Sequence, residues 1–472
     1  MPLLIAVRSA SHRQAFAIGY LCGLVHYVSL LYWIAYAVTH YGGVSTPAAI
    51  LMLLLLAAYL AVYPACFSCF ARLWLNSPGF WFGGLPALWV VLEWLRAHLL
   101  TGFPWAELGY SQSPVISFIQ TADLWGVYGI SWLVVCVNVC IAGSIMRMRS
   151  SLLVIIGVTC VIVLNDVYGY WRLSSIGRYR GRVHQVGLIQ GNIGQSRKWN
   201  PEYQEATIHR YAELSRKSLM EYPATEFLVW PETAMPFFFR LDPAMSEKVR
   251  ILIRCLGTPV LFGALDVIST PLGLKPQNKA LLVDSGGEVI GQYAKRHLVP
   301  FGEYVPLKEL MFFARKLMEA TGDFVPGEDG RPLSLDGMKL GVLICYEAIF
   351  PELARDEVKR GAGLLVNITN DAWYGKTSGP YQHLQMARWR AIEFRVPMIR
   401  CANTGISAII DSSGRWLGTL PLNVAGYLVA PVTVVPIKSF YACYGDIFVL
   451  ICAFLTMLMM VFSLLKNLAG RR

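Results

Sequence analysis

Leu340-Gly341-Val342-Leu343-Ile344-Cys345 is apolar from end to end, and Tyr346-Glu347 follow it directly. A run this short cannot cross a membrane as a helix, whereas its length and composition fit a strand buried on both faces. The pattern recurs on either side, at 183–190, 226–230, 260–265, 280–284, 363–369 and 397–401. Helical stretches fill the gaps at 201–221, 243–256, 350–360 and 380–394. Near-continuous apolar strands alternating with helices predict a layered α/β fold with buried sheets over residues 171–440. No internal repeat or low-complexity linker interrupts that stretch.

Outside it the composition changes. Over all 472 residues, 55% are apolar and only 15% charged, a balance that places several segments in lipid. Five apolar segments precede the α/β region, at 15–38, 47–72, 79–100, 125–146 and 151–168, and a sixth lies at 446–465. Each is close to the ~20 residues a helix needs to cross the hydrocarbon core. The first lacks a short apolar core with a small-residue cleavage site, so it reads as a retained span. Residues 1–170 are therefore expected to form a membrane domain of about five helices, and 441–472 a final span with a short tail.

Charge sets the expected orientation. Arg8 and Arg13 precede the first span, Arg72 follows the second, and Arg147 and Arg149 separate the fourth from the fifth. Lys466, Arg471 and Arg472 follow the last, while the loop at 39–46 carries no Lys or Arg. The positive-inside rule then puts both termini in the cytoplasm and the α/β domain outside it. The net charge of +11 fits the same picture, cationic loops facing anionic headgroups. A nucleic-acid partner is not expected, because no compact Lys/Arg patch interleaves with aromatics. Eleven cysteines form no disulfide or metal-ligand spacing. Cys22, Cys66, Cys69, Cys136, Cys140, Cys160 and Cys452 sit in apolar runs, where a thiol behaves as a small hydrophobe.

Three chemically apt residues sit at or just past strand ends, where α/β folds place their sites. Glu232 follows Phe227-Leu228-Val229-Trp230-Pro231, Lys295 follows the run 289–293, and Cys345 ends the strand quoted first. Alone, each has a plain structural explanation. Together, a carboxylate, an ammonium and a thiol suit acyl transfer. The carboxylate takes the thiol proton, the sulfur attacks an ester carbonyl, and Lys295 with the Tyr346 N–H stabilises the oxyanion. Glu93 and Arg96, at i,i+3 spacing in an apolar run, are expected to pair on one helix face. His297 and His383 invite a Cys-His reading, which Glu232 and Lys295 make unnecessary. Pro236-Phe237-Phe238-Phe239 and Met311-Phe312-Phe313 read either as core or as a lid dipping into lipid.

The residues around these positions resemble a known family. Trp230-Pro231-Glu232-Thr233-Ala234-Met235-Pro236, Tyr293-Ala294-Lys295-Arg296-His297-Leu298-Val299-Pro300-Phe301-Gly302-Glu303-Tyr304 and Ile344-Cys345-Tyr346-Glu347 resemble the Glu-Lys-Cys elements of the nitrilase superfamily. Their form is similar to that of the bacterial apolipoprotein N-acyltransferase family. So are Asn370-Asp371-Ala372-Trp373-Tyr374-Gly375, Gln382-His383-Leu384-Gln385-Met386-Ala387-Arg388, Asn403-Thr404-Gly405 and, among the membrane segments, Thr101-Gly102-Phe103-Pro104-Trp105. The resemblance implies an α-helical membrane bundle carrying an extracytoplasmic, nitrilase-like αββα sandwich. It implies an inner-membrane enzyme, its catalytic domain periplasmic, that moves an acyl chain from a phospholipid to the α-amine of a lipoprotein's N-terminal diacylglyceryl-cysteine, with no metal or other cofactor. It further implies Glu232 as general base, Lys295 as stabiliser of the tetrahedral intermediate and Cys345 as nucleophile. Glu303 and Glu347 match supporting carboxylates, and Tyr346, Trp373 and Trp105 match aromatics near the site or its lipid entrance. A monomer is expected. The family pattern has eight spans against the six segments here, a difference of two that retains the orientation. Two other readings remain at this stage: a membrane-tethered amidase, in which water resolves the thioester, and an inactive lipoprotein- or lipid-binding module.

Overall fold

The computed structural model describes residues 1–148, 151–179, 181–195, 201–271, 273–304, 323–328, 330–435 and 437–469. The expected lid residues Met311-Phe312-Phe313 lie outside these, as do Arg149, Arg471 and Arg472. The chain divides into two compact units. One comprises Met1–Ala35, Thr46–Arg178 and Ser439–Arg472, and the other Tyr36–Ser45 and Tyr179–Lys438.

The first unit is helical. Among the described residues, Thr46–Leu73, Phe118–Ile145, Leu152–Ile176 and Ile447–Lys466 are long and apolar enough to cross a membrane. The helices His12–Leu30 and Trp33–Tyr41, bent by 50° at their junction, pass the same test when taken together, as a broken span or a re-entrant loop. Close approach of the first helices depends on small residues. A Cβ on Gly19 would lie 2.3 Å from Ser68 Oγ, and one on Gly23 would lie 2.4 Å from Pro64 Cγ. Such contacts let helix backbones pack where lipid removes the hydrophobic driving force. The segment at 79–100 differs from expectation. It forms a π-helical turn, Phe80–Gly84, followed by the 14-residue helix Leu85–His98. Nor do Glu93 and Arg96 form the expected ion pair. Arg96 Nη1 donates to the carbonyls of Phe103 (3.2 Å) and Trp105 (2.9 Å), and Nη2 lies 3.6 Å from Glu107. Glu93 Oε1 accepts the Leu108 N–H at 2.7 Å. The two side chains thus hold the turns that follow the helix, because buried backbone groups left there without partners would cost more than an i,i+3 pair returns.

The second unit is a sandwich of two sheets. In the first, Arg182–Gln190 (β1), Phe227–Val229 (β2) and Val260–Thr270 (β4) run parallel, with Met235–Phe238 (β3) beside β4. Gly273–Val283 (β5) and Val289–Ala294 (β6) extend it antiparallel, so β6 points the same way as β2. In the second, Met338–Ile344 (β8), Leu364–Thr369 (β9) and Met398–Ala402 (β10) are parallel. Leu333–Leu335 (β7) and Ser407–Ile410 (β11) flank them antiparallel, and Trp416–Leu420 (β12) pairs antiparallel with β11. Gly426–Val434 (β13) closes the far edge of the first sheet against β1.

Alternation along each strand explains the layers. Val186 and Leu188 of β1 and Phe227 and Val229 of β2 meet Leu340, Val342 and Ile344 of β8 and Val366 and Ile368 of β9 in the core between the sheets. The intervening Ile189, Leu228 and Trp230 pack with Ile208 and Tyr211 of helix Gln204–Glu221 and Val249 and Ile253 of helix Pro243–Leu256. Helices Pro351–Lys359 and Gly379–Phe394 accompany the second sheet. Because both faces of the central strands are covered, their sequences read as continuous apolar runs.

Candidate active site

Glu232, Lys295 and Cys345 are each delivered by the C-terminal end of a strand. After β2 the chain turns sharply at Pro231–Thr233, with Thr233 in the left-handed region at φ 49°. That turn lies directly on Gly263, whose hypothetical Cβ would stand 2.6 Å from Glu232 Cα and 2.5 Å from Thr233 N. Lys295 follows β6 and is held to β5 by its N–H, which donates to the Asn278 carbonyl at 2.9 Å. Cys345 ends β8 in the left-handed region at φ 53° and is 6% exposed. Left-handed backbone at residues with side chains is uncommon and clusters where geometry serves function.

The buried Lys295 ammonium sits between two carboxylates, 2.8 Å from Glu303 Oε1 and 3.7 Å from Glu232 Oε1. Asn278 ties the two acids together, its Nδ2 donating to Glu232 Oε1 at 2.8 Å and to Glu303 Oε1 at 3.3 Å. The remaining oxygens are fixed by backbone: Glu232 Oε2 accepts from Asn370 N at 2.9 Å, and Glu303 Oε2 from Val299 N at 2.8 Å. Glu347 is a clamp. Its Oε1 accepts from Arg296 N (2.6 Å) and His297 N (3.1 Å), its Oε2 from Ile344 N (2.6 Å), and both oxygens lie 3.0 Å from the Tyr293 hydroxyl. One carboxylate thereby binds the turn bearing Lys295 to the turn bearing Cys345.

Electrostatics separates the roles. Burial pushes the Cys345 thiol well above its ordinary pKa, and the nearby Glu232 charge pushes it further, against the opposing pull of Lys295. The resting sulfur is held in the thiol form. Burial alone would lower the pKa of Lys295, but Glu303 and Glu232 outweigh it and hold the group as an ammonium. Burial and the Lys295 charge bring His297 down to about 4, so it is neutral at pH 7.

The supporting candidates separate by location. Tyr346 is buried, with His297 5.9 Å and Phe350 5.1 Å from its ring. Trp373 is 41% exposed and meets Tyr41 edge-on at 5.2 Å. Trp105 belongs to the helical unit, where it is fully buried with Trp33 at 4.7 Å. Phe237 and Phe239 stack at 6.2 Å within the core of the first sheet, which settles that stretch as core. His383 does approach Cys345, but at the backbone: its Nε2 lies 3.1 Å from the Cys345 carbonyl oxygen. Three residues that the sequence did not single out complete the arrangement: Asn278, Asn367 and Arg400. For Asn367 and Arg400 the available signal was a polar side chain inside an otherwise apolar strand, whereas Asn278 sits in the polar run Gln277-Asn278-Lys279 and carried no such signal. Among the described residues, no group of three or more His, Cys, Asp or Glu side chains is placed to hold a metal ion.

Comparison with known proteins gives consistent matches along the chain. Residues 1–140 match the model of the apolipoprotein N-acyltransferase N-terminal domain, and residues 185–441 that of carbon-nitrogen hydrolase. The apolipoprotein N-acyltransferase of Geobacter metallireducens is 42% identical over 461 residues, covering 96% of this chain and 87% of that protein. That of Bradyrhizobium diazoefficiens is 35% identical over 416 residues, covering 85% and 76%. A crystal structure of a carbon-nitrogen hydrolase from Helicobacter pylori G27 aligns over 53% of this chain and 89% of its own, at 18% identity and a TM-score of 0.43.

Proposed function

This chain belongs to the apolipoprotein N-acyltransferase family, and from that footing we propose that it moves an acyl chain from a membrane phospholipid, through a Cys345 thioester, to the α-amine of a lipoprotein's N-terminal diacylglyceryl-cysteine. It is an acyltransferase and a membrane protein of the bacterial inner membrane. The observation that carries the catalytic assignment is the Lys295 ammonium held between Glu232 and Glu303 at the strand end facing a buried thiol.

The Glu232 carboxylate takes the Cys345 proton as sulfur attacks the ester carbonyl of the donor. The C=O π electrons move onto oxygen, where the Lys295 ammonium and the Tyr346 N–H stabilise the charge. Collapse breaks the acyl–oxygen bond, and the leaving lysophospholipid oxygen takes the proton from Glu232. In the second half the acceptor amine attacks the thioester and gives a proton to Glu232. The thiolate is expelled, and that proton returns it to the thiol. Donor and acceptor both reside in the bilayer, which accounts for membrane helices at both ends of the catalytic unit. The positive-inside pattern supports cytoplasmic termini and a periplasmic catalytic unit, and the protein acts as a monomer.

The test is intact-protein mass spectrometry of detergent-purified protein incubated with phospholipid, beside Cys345→Ala. A hydroxylamine-sensitive acyl adduct that requires Cys345 and disappears on adding a diacylglyceryl-peptide amine is the expected result. Free fatty acid released without acceptor would mean that water resolves the thioester. Absence of any adduct on Cys345 would overturn the nucleophile assignment.

A further inference from the structure

A second polar cluster is buried on the side of β8–β10 that faces away from the sheet–sheet core, and it plays no part in the steps above. Arg400 of β10 and Asn367 of β9 are register partners across parallel strands, alternating with core residues Ile399, Val366 and Ile368. Asp371 follows β9, and His383 belongs to helix Gly379–Phe394. All four side chains are fully or almost fully buried. Arg400 Nη1 donates to Asn367 Oδ1, while Nη2 donates to Asp371 Oδ2 at 2.7 Å and lies 3.1 Å from His383 Nδ1. Thr369 Oγ1 donates to Asp371 Oδ1 at 3.0 Å, the oxygen that also faces His383 Nδ1 at 3.0 Å.

Both arms of this cluster end on one atom. Asn367 Nδ2 lies 3.3 Å from the carbonyl oxygen of Cys345, and His383 Nε2 lies 3.1 Å from the same oxygen. The hydrogen positions follow from chemistry. A guanidinium only donates, so Asn367 must turn Oδ1 to Arg400 and its NH2 to the carbonyls of Leu343 and Cys345. A carbonyl only accepts, so His383 Nε2 carries a hydrogen whether the ring is neutral or charged. A buried Arg–Asp–His cluster is weak evidence for stability, since desolvation consumes most of what the pairing returns. Its geometry accounts for it differently.

The Cys345 carbonyl and the Tyr346 N–H are two ends of one rigid, planar peptide unit. Fixing the oxygen fixes the direction of the N–H. Donors on the oxygen also polarise the unit and strengthen the N–H as a donor. We propose that His383 is a positioning residue: with Asn367, and rooted on Arg400 and Asp371, it holds the Cys345–Tyr346 peptide so that the Tyr346 N–H faces the oxyanion formed on Cys345. This rests on the reading above, in which Cys345 is the nucleophile. It also explains how the left-handed conformation at Cys345 is held against the pull of ordinary backbone preferences.

The test uses full-length protein in detergent and three variants. His383→Leu removes the donor at similar size, His383→Asn keeps an amide too short to reach, and His383→Gln places an amide N–H near the position of Nε2. Two rates are read on each: acyl-enzyme formation from phospholipid, and alkylation of Cys345 by iodoacetamide, which forms no oxyanion. The expected result is acyl-enzyme formation slowed on the order of 10²-fold in the Leu and Asn variants, the loss typical of one oxyanion donor. The change should fall in kcat with KM nearly constant, with alkylation within about 3-fold of the parent and with most of the acylation recovered by Gln. A folded Leu or Asn variant that acylates at the parent rate overturns the proposal. So does an equal fall of acylation and alkylation in all three variants, which would be the mark of a packing role. Should the parent itself form no thioester while Cys345 still alkylates, the nucleophile assignment fails instead.

Discussion

The chemistry of this protein is concentrated in polar side chains that have been taken out of water and given defined partners. Lys295 is the clearest case, since burial lowers its pKa and two acids more than offset that. At His297, the next residue but one, the pull of Glu303 is outweighed, and burial together with the Lys295 charge holds it at about 4 against an ordinary 6.5. The sign of the consequence is fixed. Between those two values the unfolded chain binds a proton that the folded chain refuses, so stability falls as pH is lowered from about 6.5 to about 4 and the loss then levels off. Within the window the slope from this one group is at most about 1.4 kcal/mol per pH unit. His297→Gln removes that titration. Thermal unfolding in detergent from pH 7 to 4.5 should show the variant losing less of its midpoint temperature than the parent. Parallel curves would mean that His297 does not carry the shift. Some of this site was legible beforehand: Glu232, Lys295 and Cys345 stand where an apolar run stops, and that boundary shows in one dimension. Asn278 was not. It lies within Gln277-Asn278-Lys279, which reads as the polar end of a loop, yet it shares the inner face of β5 with Ala280 and Leu282. Only the meeting of β5, β6 and the β2 turn shows that its amide joins two carboxylates.

At the scale of elements, the turns matter more than the strands that feed them. The central strands were readable because both faces are covered. β3, β7, β11 and β12 were not, being short and peripheral, with too few residues to establish a period. β13 carries Pro431 opposite Gln185, which argues against a strand until its place at the sheet edge is known, where a missing N–H is tolerated. The turn carrying Glu232 depends on the strand beneath it. Gly263 lets β4 pass within contact of the Glu232–Thr233 backbone, and a methyl group there meets rigid main chain. Gly263→Ala should therefore cost about 1–3 kcal/mol in stability, the usual range for overpacking. It should also slow acyl-enzyme formation on the order of 10²-fold, because a displacement of about 1 Å at a reacting group is expensive. Gly257→Ala is the matched control. Gly257 sits at the end of helix Pro243–Leu256 at φ 66°, with nothing within 4 Å of its Cβ position. That change should lower the unfolding temperature and leave the acylation rate of the folded protein unchanged. Equal acylation in both variants would separate the Gly263 contact from the geometry of Glu232.

The molecule as a whole is built for two solvents. In the helical unit, large apolar side chains point outward, including Leu21, Leu55, Leu153, Leu164, Leu450 and Phe462, all exposed to a degree no aqueous surface would favour. In the α/β unit the apolar residues are shared between sheet core and helix-facing layers. The proposal that the second unit lies on the periplasmic side rests on Arg8, Arg13, Arg72, Arg147 and Lys466 against the uncharged loop at 39–46, a bias present in the sequence itself. Cys255 offers a direct reading of that placement, because it is exposed on helix Pro243–Leu256 of the α/β unit. A membrane-impermeant maleimide applied to intact spheroplasts should label the parent protein and fail to label Cys255→Ser at that position, as read by peptide mass. The buried Cys401, whose thiol lies within hydrogen-bond reach of the carbonyls of Ile189 and Val229, should stay unlabelled until the protein is denatured. Labelling of Cys255 only after the membrane is permeabilised would put the catalytic unit in the cytoplasm. The acceptor would then have to reach the site before export, and the charge argument that orients every span would be wrong with it.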